Sequence, residues 1–259
     1  MKGLVLSAGY GERLRPLTET TPKPILEVGG HPLIHYPLLM LKRAGITEVA
    51  INVHHLAAEV EHAIGNGAAL GLRITYSPER VLAGTGGPLV VLRDYFGNES
   101  FVLVNCDTIL DLDLAGVIEF HRQRGGIASF VVRAGGDPDG YSRIECDGHG
   151  RIHRMRLLQG RARGQFVDHP RDLGANVTAT LTPYMYCGVM VCEPEVFAMM
   201  PAAPPFSLMG DLFAPIAARG VPLFGYVHRG FFRTVDDLAG YEAVRREFAT
   251  MPPPLDFLR

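Results

Sequence analysis

Residues 1–26 read MKGLVLSAGYGERLRPLTETTPKPIL. The apolar run Gly3-Leu4-Val5-Leu6 predicts a buried strand. It enters a loop over residues 7–16 that carries Gly9, Gly11 and Arg13, and Pro22-Lys23-Pro24 follows at once. A strand feeding a glycine-bearing loop suits a polyphosphate. Gly9 and Gly11 let the backbone approach closely and turn N–H groups toward anionic oxygens, while Arg13 and Lys23 add full positive charge. The combination points to an enzyme that handles nucleotides.

The loop is neither of the two common phosphate loops. A dinucleotide fingerprint, G-x-G-x-x-G, fails because Arg15-Pro16 stands near the third glycine position. A Walker A loop, G-x-x-x-x-G-K-S/T, fails because no Gly-Lys pair occurs in the chain. What stands instead is G-x-G-E-R-L-R-P-L-T and then P-K-P. This resembles the signature of the sugar-1-phosphate nucleotidyltransferases, whose usual form is G-x-G-T/S-R-L/M-x-P-L-T followed by P-K-P. Glu12 replaces the more common hydroxyl residue, a variant similar to the muramate-phosphate uridylyltransferase branch of that family.

Length and composition fit the resemblance. The chain has 259 residues, enough for one large α/β domain or one with a small appendage. A net charge of −2 argues against a nucleic-acid-binding surface. No apolar run approaches the roughly 20 residues needed to span a bilayer, and the N-terminal apolar stretch is too short for a signal peptide. Cys106, Cys146, Cys187 and Cys192 show no C-x-x-C spacing. They predict reduced, buried thiols in a cytoplasmic protein rather than a zinc site.

Along the first half, strands over 4–6, 49–53, 73–76 and 101–105 alternate with helices over 33–44, 55–64 and from 86 to 92. That alternation predicts a parallel sheet with helices on both faces, which binds ligands at the carboxyl ends of its strands. The second half is less regular. Strands are predicted over 128–133, 144–145, 185–192 and 223–227, short helices over 195–200 and 211–219, and an amphipathic helix over 237–247. Residues 147–150 predict a hairpin turn, and 135–140 and 160–183 predict loops. The fold class is α/β, a Rossmann-like mixed, mainly parallel sheet; the resemblance implies the nucleotide-diphospho-sugar transferase fold. The chain reads as a single domain over 1–259, with a nucleotide-binding half over 1–125 and a sugar-binding half over 126–259. The tail shows no hexapeptide repeats, so the C-terminal β-helix of some family members is not expected.

The resemblance runs over nearly the whole chain, most strongly over residues 1–110, and implies roles for particular residues. Arg13 and Lys23 become the catalytic cations, and Leu6, Ala8, Gly9 and Gly11 join the nucleotide site. Gly84-Thr85-Gly86-Gly87-Pro88-Leu89 is similar to the family's second nucleotide segment and follows Tyr76-Ser77-Pro78-Glu79 as in the relatives. It implies nucleotide contacts at Glu79, Gly86 and Gly87; a helix start capped by Thr85 is the plainer alternative. Val104-Asn105-Cys106-Asp107 is similar to the segment whose Asp binds Mg2+, so Asn105 is implied at the nucleotide and Asp107 at the metal. Magnesium takes one or two carboxylates plus phosphate oxygens. Asp111 and Asp113 read as solvated or capping residues.

Two segments depart from the family pattern. Relatives place a second metal-binding Asp in G-F/Y/H-W-x-D-V/I-G-T/S, whereas residues 230–238 read GFFRTVDDL and put Thr234 at that position. Asp236 falls where cytidylyltransferase-like members carry their Asp and is taken as the second ligand; a helix cap at Asp236 or Asp237 is the alternative. On the sugar side, Tyr141-Ser142-Arg143-Ile144-Glu145 resembles a segment that assigns Glu145 to a sugar hydroxyl. The usual sugar-phosphate Lys of E-K-P is absent from residues 154–159, RMRLLQ, with Arg156 as its substitute. Tyr186-Cys187-Gly188-Val189 resembles a sugar-contacting strand and adds Gly188. His54, His55, His149 and His169 form no nucleophile or metal pattern and read as surface or packing residues.

The resemblance thus implies a Mg2+-dependent enzyme that joins an NTP to a sugar 1-phosphate, giving an NDP-sugar and pyrophosphate. GTP with mannose 1-phosphate or a related sugar is the first expectation, and a UTP-dependent uridylyltransferase the alternative. Thr234 and Leu158, at two functional positions, keep open a non-catalytic relative that binds a nucleotide or NDP-sugar. The expected partners are the two substrates, with no nucleic acid and no membrane, in a monomer or homodimer.

Overall fold

A computed structural model describes residues 1–135, 143–158, 166–168 and 180–258, without the side chains of 156–158 and 166–168. The chain forms two compact units, each discontinuous in sequence. The first comprises Met1–Leu82, Phe101–Leu114 and Gly230–Arg259, the second Ala83–Ser100 and Ala115–Arg229.

In the first unit four parallel strands lie in the order Phe101–Asn105, Lys2–Leu6, Glu48–Val53 and Arg73–Pro78. Leu4 and Val5 and their neighbours Val49–Ile51 and Val102–Val104 are fully buried. Burial on both faces is why these strands read as unbroken apolar runs instead of alternating. The chain lays two strands to one side of Lys2–Leu6 and then returns to place Phe101–Asn105 on its other side. The strand order therefore reverses at the strand that feeds the glycine loop, where open parallel sheets present their ligand crevice. The helices expected over 33–44 and 55–64 are His35–Arg43 and Ala57–Ile64. The first buries Tyr36, Leu38, Met40 and Leu41.

A separate core cluster fixes the loop. Leu14, Leu26, Val28 and Tyr36 pack with Ile109, Val235, Tyr241, Val244 and Phe248. Burial of each such side chain contributes about 1.5–3 kcal/mol, so the polar loop between strand and core is anchored at both ends. Ile109 belongs to a small antiparallel ribbon, Thr108–Leu110 with Phe232–Thr234, which the sequence did not predict, and Val235 directly follows its second strand. Tyr241, Val244 and Phe248 come from the amphipathic helix Leu238–Thr250, whose N-cap Asp237 accepts a hydrogen bond from the Gly240 N–H at 2.8 Å.

The second unit holds a mixed sheet. Leu223–Val227 pairs in parallel with Ala128–Arg133, and Thr182–Cys192, Arg143–Cys146, Ile152–Leu158 and Phe166–Asp168 continue it antiparallel. The turn expected over 147–150 is present: the Gly150 N–H donates to the Asp147 carbonyl at 3.0 Å, and the Asp147 carboxylate accepts from the His149 and Arg151 N–H groups. A helix over Leu114–Arg124 was not predicted. Residues 195–200, predicted helical, form a 3-10 turn over Pro194–Met199. Of the loop expected over 160–183, Phe166–Asp168 is strand and the last two residues begin the long strand Thr182–Cys192. Apart from residues 180–181, which lie in no helix or strand, the rest, with His169, lies outside the described residues.

Candidate functional site

The loop after Lys2–Leu6 is braced by a buried polar network. Asn52 accepts the Ser7 N–H on Oδ1 at 2.8 Å, and its carbonyl accepts the Ser7 hydroxyl at 2.6 Å. The Asn52 amide in turn donates to Glu79 Oε1 at 2.7 Å. The carboxyl ends of three adjacent strands are thereby cross-linked beside Leu6 and Ala8. Neither Ser7 nor Asn52 was identified from the sequence, although a polar Asn inside the buried run Glu48–Val53 was the available signal. His54 contacts the Glu79 carbonyl through Nδ1 at 2.7 Å and the Tyr10 hydroxyl through Nε2 at 3.0 Å. His55 Nε2 contacts the Thr18 carbonyl at 2.7 Å. Both histidines are thus tied by hydrogen bonds into the first unit.

Gly9 and Gly11 differ. Gly11 has φ +62°, and a Cβ there would meet Thr18 Cγ2 at 2.8 Å. The Thr18 hydroxyl donates to the Gly11 carbonyl at 2.9 Å and holds that left-handed turn. A Cβ on exposed Gly9 would meet nothing within 4 Å among the described residues, so its backbone lies open.

The charged residues form two pairs. Lys23 Nζ donates to Asp107 Oδ2, with side chains only 14% and 17% exposed. Arg13 Nη2 donates to Asp236 Oδ1 at 3.1 Å, with side chains 63% and 25% exposed. The carboxylates are brought to one end of the unpredicted ribbon. Thr234 pairs with Thr108, and beyond that pair the Val235 N–H donates to the Asp107 carbonyl at 3.3 Å. With Val235 fully buried, Asp236 follows directly. Because Asp237 caps the helix, Asp236 is the residue of the two that faces the loop cation. Burial pulls the Lys23 ammonium downward, but the Asp107 charge, with Cys106, the hydrogen bond and Asp236, outweighs it, and the pKa is raised. Lys23 is a fixed cation at neutral pH. Burial, and then the Asp107 charge, push the Cys106 thiol up to about 12, which removes it as a nucleophile.

No group of three or more His, Cys, Asp or Glu residues is placed to hold a metal ion among the described residues. The pair Asp107 and Asp236 nonetheless suits magnesium, which completes its octahedron with phosphate oxygens and water. Asn105 ends the strand Phe101–Asn105 in register with Leu6, and the Cys106 N–H donates to the Leu6 carbonyl at 3.1 Å.

The remaining expected residues lie in the second unit. A Cβ on Gly86 would meet the Phe206 ring at 2.0 Å, and the Gly86 N–H donates to the Phe206 carbonyl at 3.0 Å. A Cβ on Gly87 would meet Ala83 Cβ at 2.1 Å. Close packing is therefore a sufficient reason for these glycines. Thr85 caps no helix; its hydroxyl accepts the Leu208 N–H at 2.9 Å. Glu145 is buried and accepts from Arg154 Nε at 2.6 Å. Gly188 has φ +77° within an irregularity of the pairing between Tyr186 and Met190. Arg156 is paired with Arg143 and Asp168 in the sheet, and its side chain lies outside the described residues.

A family model described as nucleotidyl transferase matches residues 2–156. The mannose-1-phosphate guanyltransferase of Saccharomyces cerevisiae is 31% identical over 91% of this chain and 61% of its own length. The N-acetylmuramate alpha-1-phosphate uridylyltransferase of Neisseria meningitidis is 45% identical over 46% of this chain and 52% of its own length. The chain thus spans between half and two thirds of the length of these relatives. Among solved structures, HddC from Yersinia pseudotuberculosis complexed with GMP-PN is similar in fold, with a TM-score of 0.72, 18% identity, and coverage of 95% of this chain and 99% of that one.

Proposed function

The chain belongs to the nucleotidyl transferase family, and we propose that it transfers a nucleotidyl group from an NTP to a sugar 1-phosphate, releasing pyrophosphate. The observation that carries the proposal is the convergence of Arg13, Lys23, Asp107 and Asp236 beside the glycine loop. A sugar-phosphate oxygen attacks the α-phosphorus in line; the new P–O bond forms as the bond to the β-phosphate oxygen breaks. No covalent enzyme intermediate is needed, so the protein contributes positioning and charge. The backbone around Gly9 cradles the phosphates, Arg13 draws off charge from the departing pyrophosphate, and Lys23 bridges the α-phosphate and the incoming phosphate. Asp107 and Asp236 are the residues that would hold Mg2+, which when bound neutralises phosphate charge and polarises the reacting centre.

GTP with mannose 1-phosphate or a related sugar is the first choice, supported by likeness over 91% of the chain to the yeast guanyltransferase. UTP is the second, favoured by the 45% identity to the muramate-phosphate uridylyltransferase over 122 residues. No described helix is long and apolar enough to cross a membrane. The four free, buried cysteines favour a reducing cytoplasmic setting. The purified protein assayed with Mg2+, each common NTP and a set of sugar 1-phosphates for pyrophosphate release tests the proposal. Lys23→Ala or Asp107→Ala is expected to lower turnover by about two orders of magnitude or more while the fold persists. Near-normal turnover in both variants, or nucleotide binding without pyrophosphate release in the wild type, would overturn it.

A further inference from the structure

We infer that divalent metal and triphosphate enter this site by exchanging partners, so that neither binds well alone and each strengthens the other. The inference rests on the functional reading above. Each cation of the site is already held by one of its carboxylates: Lys23 by Asp107 in a mostly buried pair, and Arg13 by Asp236 at 3.1 Å. The Val235 N–H bond to the Asp107 carbonyl keeps the two carboxylates on one short ribbon, so the pairs sit in a common frame.

A divalent cation arriving alone has to break these pairs. It leaves the Lys23 ammonium beside two further positive charges in a place with little water to screen them. A triphosphate arriving alone draws Lys23 away and brings its own charge against the Asp107 carboxylate that Lys23 leaves. Together the two ligands solve each other's problem: carboxylates pass to the metal, cations pass to the phosphates, and every charge keeps a partner. Such coupling is reciprocal by thermodynamic necessity. It also makes a consequence that a simple list of metal ligands does not: deleting Lys23 should improve metal binding in the absence of nucleotide, because Asp107 is released.

Mn2+ serves as the metal probe, followed by its electron paramagnetic resonance signal, with GTP and UTP as nucleotides and the metal–nucleotide complex formed in solution accounted for. In the absence of sugar phosphate there is no transfer, so the readout is binding alone. Wild-type protein is expected to bind Mn2+ about tenfold or more tightly when nucleotide is bound, with the same factor seen in reverse. Lys23→Met is expected to bind Mn2+ alone more tightly than wild type and to lose most of the coupling. Arg15→Gln, a nearby exposed cation, controls for the general effect of removing positive charge. If Lys23→Met fails to fold by circular dichroism, Arg13→Gln tests the same exchange at Asp236. Mn2+ affinity unchanged by nucleotide, or a Lys23→Met or Arg13→Gln gain no larger than that of Arg15→Gln, overturns the exchange. Such a result alongside normal pyrophosphate release would sink this inference and leave the function standing. Absent pyrophosphate release would instead sink the function.

Discussion

Gly9 and Gly11 stand two residues apart and carry different loads. Gly11 is needed by the protein itself, because its left-handed turn and the nearby Thr18 leave no place for a side chain. A side chain on Gly9 would meet no neighbour among the described residues. Gly11→Ala is therefore expected to destabilise the fold by about 1–2 kcal/mol, seen as a lower melting temperature. Gly9→Ala is expected to leave the melting temperature unchanged and to raise KM for the nucleotide. Equal melting losses in both would contradict this division. At Tyr186 the hydroxyl is buried without a partner among the described residues. Burial holds its pKa well above 10. An unpaired buried hydroxyl costs about 1–3 kcal/mol, so Tyr186→Phe should be neutral or stabilising in a denaturant titration; a clear loss would show that the hydroxyl is bonded. Arg13, Lys23 and Asp107 stand out in local sequence through the motif they resemble. Asp236 is preferred to Asp237 only through its likeness to cytidylyltransferase-like members, with a helix cap as the alternative; in the structure Asp237 takes the cap at Gly240 and Asp236 pairs with Arg13.

At the scale of elements, the decisive piece is one that sequence periodicity could not reveal. A three-residue strand is too short for an alternation pattern, and Thr108–Leu110 and Phe232–Thr234 are joined only through tertiary pairing. The helix Leu114–Arg124 was missed for another reason: its face includes His121, a polar residue that is buried. His121 bridges Ser129 Oγ through Nδ1 and Glu193 Oε1 through Nε2, both at 2.9 Å, and the Ser100 hydroxyl donates to Glu193 Oε2 at 2.8 Å. Burial, despite the opposing Glu193 charge, holds its pKa below the ordinary value. His35 is lowered as well, by burial and by His31. As pH falls through about 6.5, where unfolded histidine takes its proton, the unfolded chain gains protons before the folded one and stability drops. The unfolding free energy is expected to decline from pH 7 to pH 5.5, and His121→Asn should make that decline shallower. An equally steep decline in the variant would remove His121 from the account.

Across the whole molecule, the N-terminal signature depends on the other end of the chain. Leu14 and Leu26, which anchor the loop bearing Arg13 and Lys23, are covered by Tyr241, Val244 and Phe248. A chain ending at residue 229 keeps the complete N-terminal motif but loses that cover and Asp236. It is expected to bind no nucleotide and to show a lower, broader thermal transition; full binding would refute the dependence. By itself the sequence determined the local chemistry. It placed a strand that ends in a glycine loop, set cations at motif spacing beside it, and specified a parallel sheet through apolar runs buried on both faces. Tertiary structure alone decided which carboxylates meet those cations, that Asn52 and Ser7 brace the strand ends, and that residues 230–258 join the first unit. The physical reason is that motif and periodicity act through neighbours along the chain. Charge pairing and core burial act through neighbours in space, and for Arg13 and Asp236 those neighbours are separated by most of the chain's length.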